Sequence, residues 1–161
     1  MVCAFTGHRP EKLPWGANEE DPRCQALKIL IARTVERLVE NGVQTFLCGM
    51  ARGCDLYFAE AVIAVTRQHP EVSLEAWLPC PSQDRCWRAA ERLRRDRLLS
   101  QCRRVWMVEK QYSEGCMLRR NRAMIDAADG LISVWNGTRG GTGSAVRYAK
   151  QQGKWIEALW L

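Results

Sequence analysis

Four short stretches hold the residues whose chemistry is not spent on filling a core. Gly137-Thr138-Arg139-Gly140-Gly141-Thr142-Gly143 carries four glycines in seven residues just ahead of a helical pattern. Glycines there let anionic oxygens approach backbone N–H groups at a helix start, and Thr142 adds a hydroxyl. The loop is neither a GxGxxG fingerprint after the first strand nor a P-loop with its lysine. Placed at the active edge of a sheet it reads as a phosphate loop, and placed elsewhere as a plain surface turn. Cys48-Gly49-Met50-Ala51-Arg52-Gly53-Cys54-Asp55 is a second glycine-punctuated turn between a strand and a helix. In it Gly49 allows a sharp turn and Gly53 a close backbone approach by a ligand. Asp55 either caps free N–H groups or faces a ribose hydroxyl or an amine.

Thr6-Gly7-His8-Arg9 ends the first apolar run with a hydroxyl, a glycine, an imidazole and a guanidinium. Arg9 can hold a phosphate through two nitrogens, whereas His8 serves equally well as a structural hydrogen-bonder. Arg119-Arg120-Asn121-Arg122 falls early in a helical stretch. Asn121 suits a base or ribose, and at least one of the arginines is expected simply to be solvated.

Elements that position these residues follow from hydrophobic periodicity. Strands are expected over 2–6, 43–48, 71–78, 103–108, 130–135 and 155–159, and helices over 23–41, 55–68, 83–100, 116–128 and 144–152. Glu11 to Pro22 is a long connection against the usual length of about 4–6 residues, and a flap over a site is one use for it. Regular alternation of strand and helix predicts an α/β fold, a mainly parallel sheet flanked by helices on both faces. The expected strand order is 3-2-1-4-5 with the last strand at an edge. In such sheets ligands sit beyond the carboxyl ends of the strands, where Thr6 to Arg9, Gly49 to Gly53, Pro79 to Pro81 and Asn136 to Gly143 fall, and one face of the helix carrying Arg119 to Arg122 can point at the same cleft.

The chain has 161 residues, 47% hydrophobic and 26% charged, which suits one globular domain over residues 1–161. No apolar run reaches the roughly 18 residues of a membrane span, and the first residues do not read as a signal peptide. Eight cysteines without a CxxC pair read as reduced, mostly buried thiols of a cytoplasmic protein, with no metal site expected. The net charge is +6, and eight arginines lie between Gln83 and Val105. That segment is either a patch for phosphates or nucleic acid or the solvated face of an amphipathic helix. Trp106, inside a strand, is expected in the core. The apolar end, with Trp155, Ile156, Leu159, Trp160 and Leu161, predicts a homodimer or higher oligomer built through that segment or an adjacent helix.

Taken together, Thr6 to Leu13, Cys48 to Asp55, Arg120 to Asp126 and Gly140-Gly141-Thr142 resemble the YpsA-like branch of the SLOG superfamily, from about Ala4 to Ile156. That superfamily is named for the Smf/DprA DNA-processing proteins and the LOG phosphoribohydrolases. The resemblance implies a Rossmann-like domain with a pocket for a nucleotide or nucleotide-derived ligand. It implies Gly49, Gly53, Arg120, Asn121, Gly141 and Thr142 as pocket lining, and self-association. LOG enzymes carry a glutamate two or three residues after the glycine-threonine pair, and here Gly143, Ser144 and Ala145 follow Thr142.

The expected function is therefore binding or sensing of a nucleotide-derived ligand, such as ADP-ribose, an NAD-derived species or a nucleoside phosphate. The expected contacts are Thr6, Gly7, His8, Arg9, Gly49, Met50, Ala51, Arg52, Gly53, Asp55, Arg120, Asn121, Gly140, Gly141 and Thr142, with no required cofactor. One alternative is N-glycosidic cleavage of a nucleotide, with Asp55 as the candidate carboxylate. A second is single-stranded nucleic-acid binding through the arginine-rich segment, with Trp87 or Trp106 for stacking.

Overall fold

The computed structural model describes residues 1–160. Six strands, β1 (Val2–Gly7), β2 (Thr45–Cys48), β3 (Ser73–Leu78), β4 (Arg104–Met107), β5 (Gly130–Trp135) and β6 (Trp155–Trp160), form one sheet. Every pairing is parallel, in the order β4-β3-β2-β1-β5-β6. The connecting helices are α1 (Pro22–Glu40), α2 (Cys54–Thr66), α3 (Ala89–Leu99), α4 (Cys116–Asp126) and α5 (Gly141–Gln151). Helices α1 to α3 cover one face through Leu27, Ile31, Phe58 and Leu98, packed on Phe5, Phe46 and Leu74. Helices α4 and α5 cover the other through Met124, Ile125, Ala145 and Val146, packed on Ala4, Leu47 and Leu131.

The expected order placed the fourth strand beside the first, and the structure corrects this. β4 lies at the outer edge beyond β3, and β5 takes the place next to β1. The residues account for the exchange. β5 is Gly-Leu-Ile-Ser-Val-Trp with five of its six residues buried, which fits a strand covered on both sides. β4 is exposed at all four positions and follows Arg103, which fits an edge. Trp106 is consequently 42% exposed rather than core, its Nε1 donating to Glu75 at 2.9 Å. The chain reverses its direction of travel between β1 and β5, so the crevice of this sheet opens there.

Two other expectations change. The arginine-rich helix begins only at Ala89, where the Arg88 N–H donates to Glu91 at 3.0 Å, and residues 81–87 form turns. Two of its arginines are internal. Arg94 bridges Glu19 and Glu60, each at 2.6 Å, and Arg95 is buried against Asp84 at 2.9 Å with Trp87 beneath it. Residues 11–21 are mostly a packed turn system, pinned by buried Leu13 and Trp15 and by Glu19, rather than a free flap.

All eight cysteines are free, and six are buried. Burial pushes the Cys102 thiol up to about 11, so it stays protonated and packs as a small hydrophobe. Among the described residues no helix is long and apolar enough to cross a membrane.

Gly130 sets the seat of the last strand. A Cβ at this position would fall on the indole of Trp155, its direct partner on β6. Gly130→Ala is expected to cost about 1–3 kcal/mol in urea unfolding, as overpacked sites do. Gly141→Ala, where nothing lies within 4 Å of the new carbon, is the control and should be near neutral.

Candidate functional site

The crevice at the strand reversal is a cavity of about 380 Å³, within the roughly 300–1,000 Å³ of small-molecule sites. Its floor is the end of β1, with Phe5, Thr6, Gly7 and His8, followed by Arg9 and the short 3-10 turn Pro10–Lys12. Ala51 and Asp55 come from the β2–α2 turn. Asn121 and Arg120 come from α4, and Gly140, Gly141 and Thr142 from the start of α5. Eleven of the fifteen residues singled out from the sequence thus meet on one cavity; Gly49, Met50, Arg52 and Gly53 do not line it.

These four sit behind the wall, each for a physical reason. A Cβ on Gly49 would collide with the guanidinium of Arg120, so its bareness makes room for a side chain of this protein. Gly53 has φ +84°, and a Cβ there would stand 2.8 Å from the carbonyl oxygen of His8, so protein backbone rather than a ligand uses the space. Met50 is fully buried with φ 57°, a left-handed conformation unusual outside glycine. Arg52 turns to the rim, where it pairs with Glu11 at 2.5 Å.

Arg120 is the most constrained member. It is 4% exposed, and its Nη1 donates to the carbonyls of Gly49 at 2.6 Å and Trp77 at 2.9 Å. Its Nε donates to Asn121 Oδ1 at 2.7 Å, which fixes the Asn121 amide at the cavity wall. Desolvation pulls its pKa down while the Asp55 charge opposes that. The flanking arginines go elsewhere: Arg119 to Glu109 at 2.5 Å, and Arg122 over the ring of Tyr148 at 5.3 Å.

Asp55 is 6% exposed, and its Oδ2 accepts the Ala51 N–H at 3.1 Å. Burial raises its pKa, with Arg120 as the main counterweight. His8 is 3% exposed and meets the Asn136 side chain at 2.8 Å, which ties the end of β1 to the loop after β5. Burial lowers its pKa, so the ring is neutral at neutral pH. Both groups hold the site together before they do anything else.

The first turn of α5 presents free backbone amides at the cavity. No side chain caps this helix, and the Ser144 N–H is taken by the Gly140 carbonyl at 2.9 Å. The N–H groups of Gly141, Thr142 and Gly143 are left without intrahelical acceptors, as in any helix start. Thr142 is 8% exposed, yet its hydroxyl has no partner among the described residues. Arg9 is exposed at the mouth, its Nη2 resting on Met117 Sδ at 3.6 Å.

Sequence reasoning missed Glu11, Lys12, Met117 and Leu118, which also line the cavity. A usable signal existed for Met117, three residues before Arg120 and so on the same helix face. Lys12 closely follows the end of β1, at the active edge of the sheet.

Comparison with known proteins gives the family and the fold. The family model YpsA, described as the YspA SLOG family, matches residues 3–157. The chain belongs to this family. Similar curated proteins include the SPbeta prophage-derived protein YoqJ of Bacillus subtilis, 25% identical over 145 residues, covering 82% of this chain and 85% of that one. A UPF0398 protein of Bacillus thuringiensis is 26% identical over 156 residues, covering 95% and 84%. Among solved structures, DNA processing protein A of Helicobacter pylori superposes with a TM-score of 0.65 at 18% identity, over 98% of this chain. The Streptococcus pneumoniae protein of the same name gives 0.60 at 17%, also over 98%. This chain spans 64% and 49% of those two, less than two thirds of either, and the likeness is one of fold.

The raised Asp55 pKa has a consequence for stability. An acid whose pKa rises on folding contributes most below its ordinary value of 3.8 and loses that contribution as pH climbs through the folded value. Asp55→Asn keeps an acceptor for the Ala51 N–H and removes the buried charge. It is expected to be more stable than the parent near pH 7, with the advantage shrinking as pH falls toward about 4. Urea unfolding at both ends of this range checks it; a loss of stability at pH 7 would mean that pairing with Arg120 outweighs burial.

Proposed function

We propose that the cavity binds a nucleotide or nucleotide-derived ligand, and that the protein works as a sensor of that ligand. One observation carries the reading: the uncapped first turn of α5 opens into a cavity of about 380 Å³, where the Thr142 side chain, 8% exposed, keeps its hydroxyl free of any protein partner among the described residues. A phosphate oxygen on the free amides is the natural complement. The Asn121 amide and the apolar surfaces of Met117 and Leu118 suit a base or ribose. ADP-ribose, NAD-derived species and nucleoside phosphates are the candidate class. Cleavage of an N-glycosidic bond is the less favoured reading, because Glu11 is paired with Arg52 and Asp55 is committed to Ala51.

The test is thermal unfolding against a nucleotide panel. A ligand at 100 times its dissociation constant adds about 2.7 kcal/mol of stability, a shift easily read. Gly141→Phe adds a ring at a position whose Cβ would meet nothing within 4 Å, so the variant should keep its unliganded melting point and lose the shift. A parent protein unmoved by every nucleotide would end the proposal.

A second reading, single-stranded nucleic-acid binding, gains from one feature. Arg104 lies over Trp106 at 5.8 Å on the exposed edge strand, an aromatic and basic pair of the kind that stacks bases. The Helicobacter pylori neighbour is described for its single-stranded DNA binding mode. Oligonucleotide affinity that falls steeply with salt and survives Gly141→Phe would favour this reading over the first.

Self-association is part of the proposal. β6 completes the sheet beside β5, yet Trp160 is 66% exposed and stacked on Trp135 at 6.2 Å. Leu161, included in the expected interface, lies outside the described residues. Light scattering on a size-exclusion column is expected to give a dimer or larger, and Trp160→Arg to shift it to monomer without unfolding. A monomeric parent at micromolar concentration would sink the idea.

A further inference from the structure

Lys12 stands at the same helix start without a carboxylate partner among the described residues. Its ammonium donates to the Arg139 carbonyl, and a Cβ on Gly140 would lie 2.5 Å from Nζ, so the charge hangs directly over the N-cap of α5. Glu11, the neighbouring acid, is drawn off to Arg52. Two further observations point to a ligand at this spot. Thr142 is nine-tenths buried and its hydroxyl opens to the cavity with no protein partner among the described residues, and Arg120, 4% exposed, bonds through Nε and Nη1 and keeps Nη2 free of hydrogen bonds among them. Lys12 thus stands at the free amides of α5, which already favour an anion, and Arg9 and Arg120 line the same cavity.

We propose that Lys12 is a specificity-determining residue that makes the cavity select a phosphate monoester over a diester, by exchanging its bond to the Arg139 carbonyl for one to the phosphate. The inference rests on the reading of the cavity as a nucleotide-phosphate site. A monoester carries about −1.5 to −2 charges at pH 7, and a diester one. A phosphate oxygen is a stronger partner for an ammonium than a neutral carbonyl. The carbonyl left behind belongs to an exposed residue and passes to water. The extra charge of the monoester is thus met by a group that is already in place and whose present acceptor is a neutral carbonyl.

Calorimetric titration with adenosine monophosphate and with its 3′,5′-cyclic form isolates this, since base and ribose are shared. The parent protein is expected to prefer the monoester by roughly tenfold or more, the worth of one charged hydrogen bond. Lys12→Gln, which removes the charge and keeps a polar side chain, should bring the two affinities within about threefold of each other. Lys12→Arg should keep the preference. A Lys12→Gln variant that retains the preference, or that weakens both ligands equally, overturns the assignment and leaves the nucleotide reading standing. A parent protein that binds neither defeats the reading of the cavity itself, and the assignment with it.

Discussion

Everything at this site depends on a buried guanidinium that has to be satisfied. Arg120 enters from α4, the crossover that carries the chain from the outer edge of the sheet to its far side. It finds its acceptors at the carboxyl ends of β2 and β3, on Gly49 and Trp77. A buried cation without acceptors costs several kcal/mol, so the helix cannot shift relative to these strands without a large penalty. The demand spreads outward. Residue 49 must be glycine, because any Cβ would meet the guanidinium. Gln83 donates to the same Gly49 carbonyl at 2.9 Å and accepts from buried Arg95 at 3.3 Å, which draws residues 81–87 out of a helix and onto the sheet.

The three loops around the cavity are tied to one another in the same manner. The carbonyl of His8 accepts the Cys54 N–H at 3.1 Å, joining the end of β1 to the start of α2, and the ring of His8 meets Asn136 beyond β5. Met50 and Gly53 take positive φ to let the β2–α2 turn pass beneath that carbonyl. Such conformations cost on the order of 1–3 kcal/mol for a non-glycine residue and persist where surrounding contacts over-determine them. A cavity walled by cross-tied loops loses little entropy when a ligand arrives, which suits selective binding of a small anion.

Much of this was legible in the residues, and the failures are instructive. The alternating strand and helix pattern was enough for a parallel sheet, and glycine, threonine and arginine at strand ends were enough to place the cavity. What escaped was burial. Gly49 read as a sharp turn and Gly53 as room for a ligand, whereas they make room for Arg120 and for the carbonyl of His8. Periodicity cannot tell whether the neighbour that fills a glycine's space is a ligand or a distant part of the same chain. The strand order failed similarly: the signal lay in Arg103-Arg104 and in the all-apolar run of β5, a difference in burial rather than in period. Lys12 was hidden because its meaning comes from Gly140, 128 positions along the chain.

The same packing bears on where a carboxylate could stand beside the first turn of α5. In the LOG enzymes the glutamate follows the glycine-threonine pair by two or three residues, on the first turns of the helix that cradles the phosphate. Here the helix is set too close to its neighbours at two of the following positions. A Cβ on Gly143 would stand 3.0 Å from the ring of Trp135 and 3.1 Å from the carbonyl oxygen of Thr138. Ala145 is buried among Met124, Leu131 and Val146, where an ionised side chain would lie in apolar surroundings. Only Ser144 is partly open. The residues that press this helix onto β5, Trp135 above all, are also those that hold its amides at the cavity. Of the two positions where the LOG glutamate falls, 145 is thus closed by the core, and 144 has room but carries a hydroxyl in this chain.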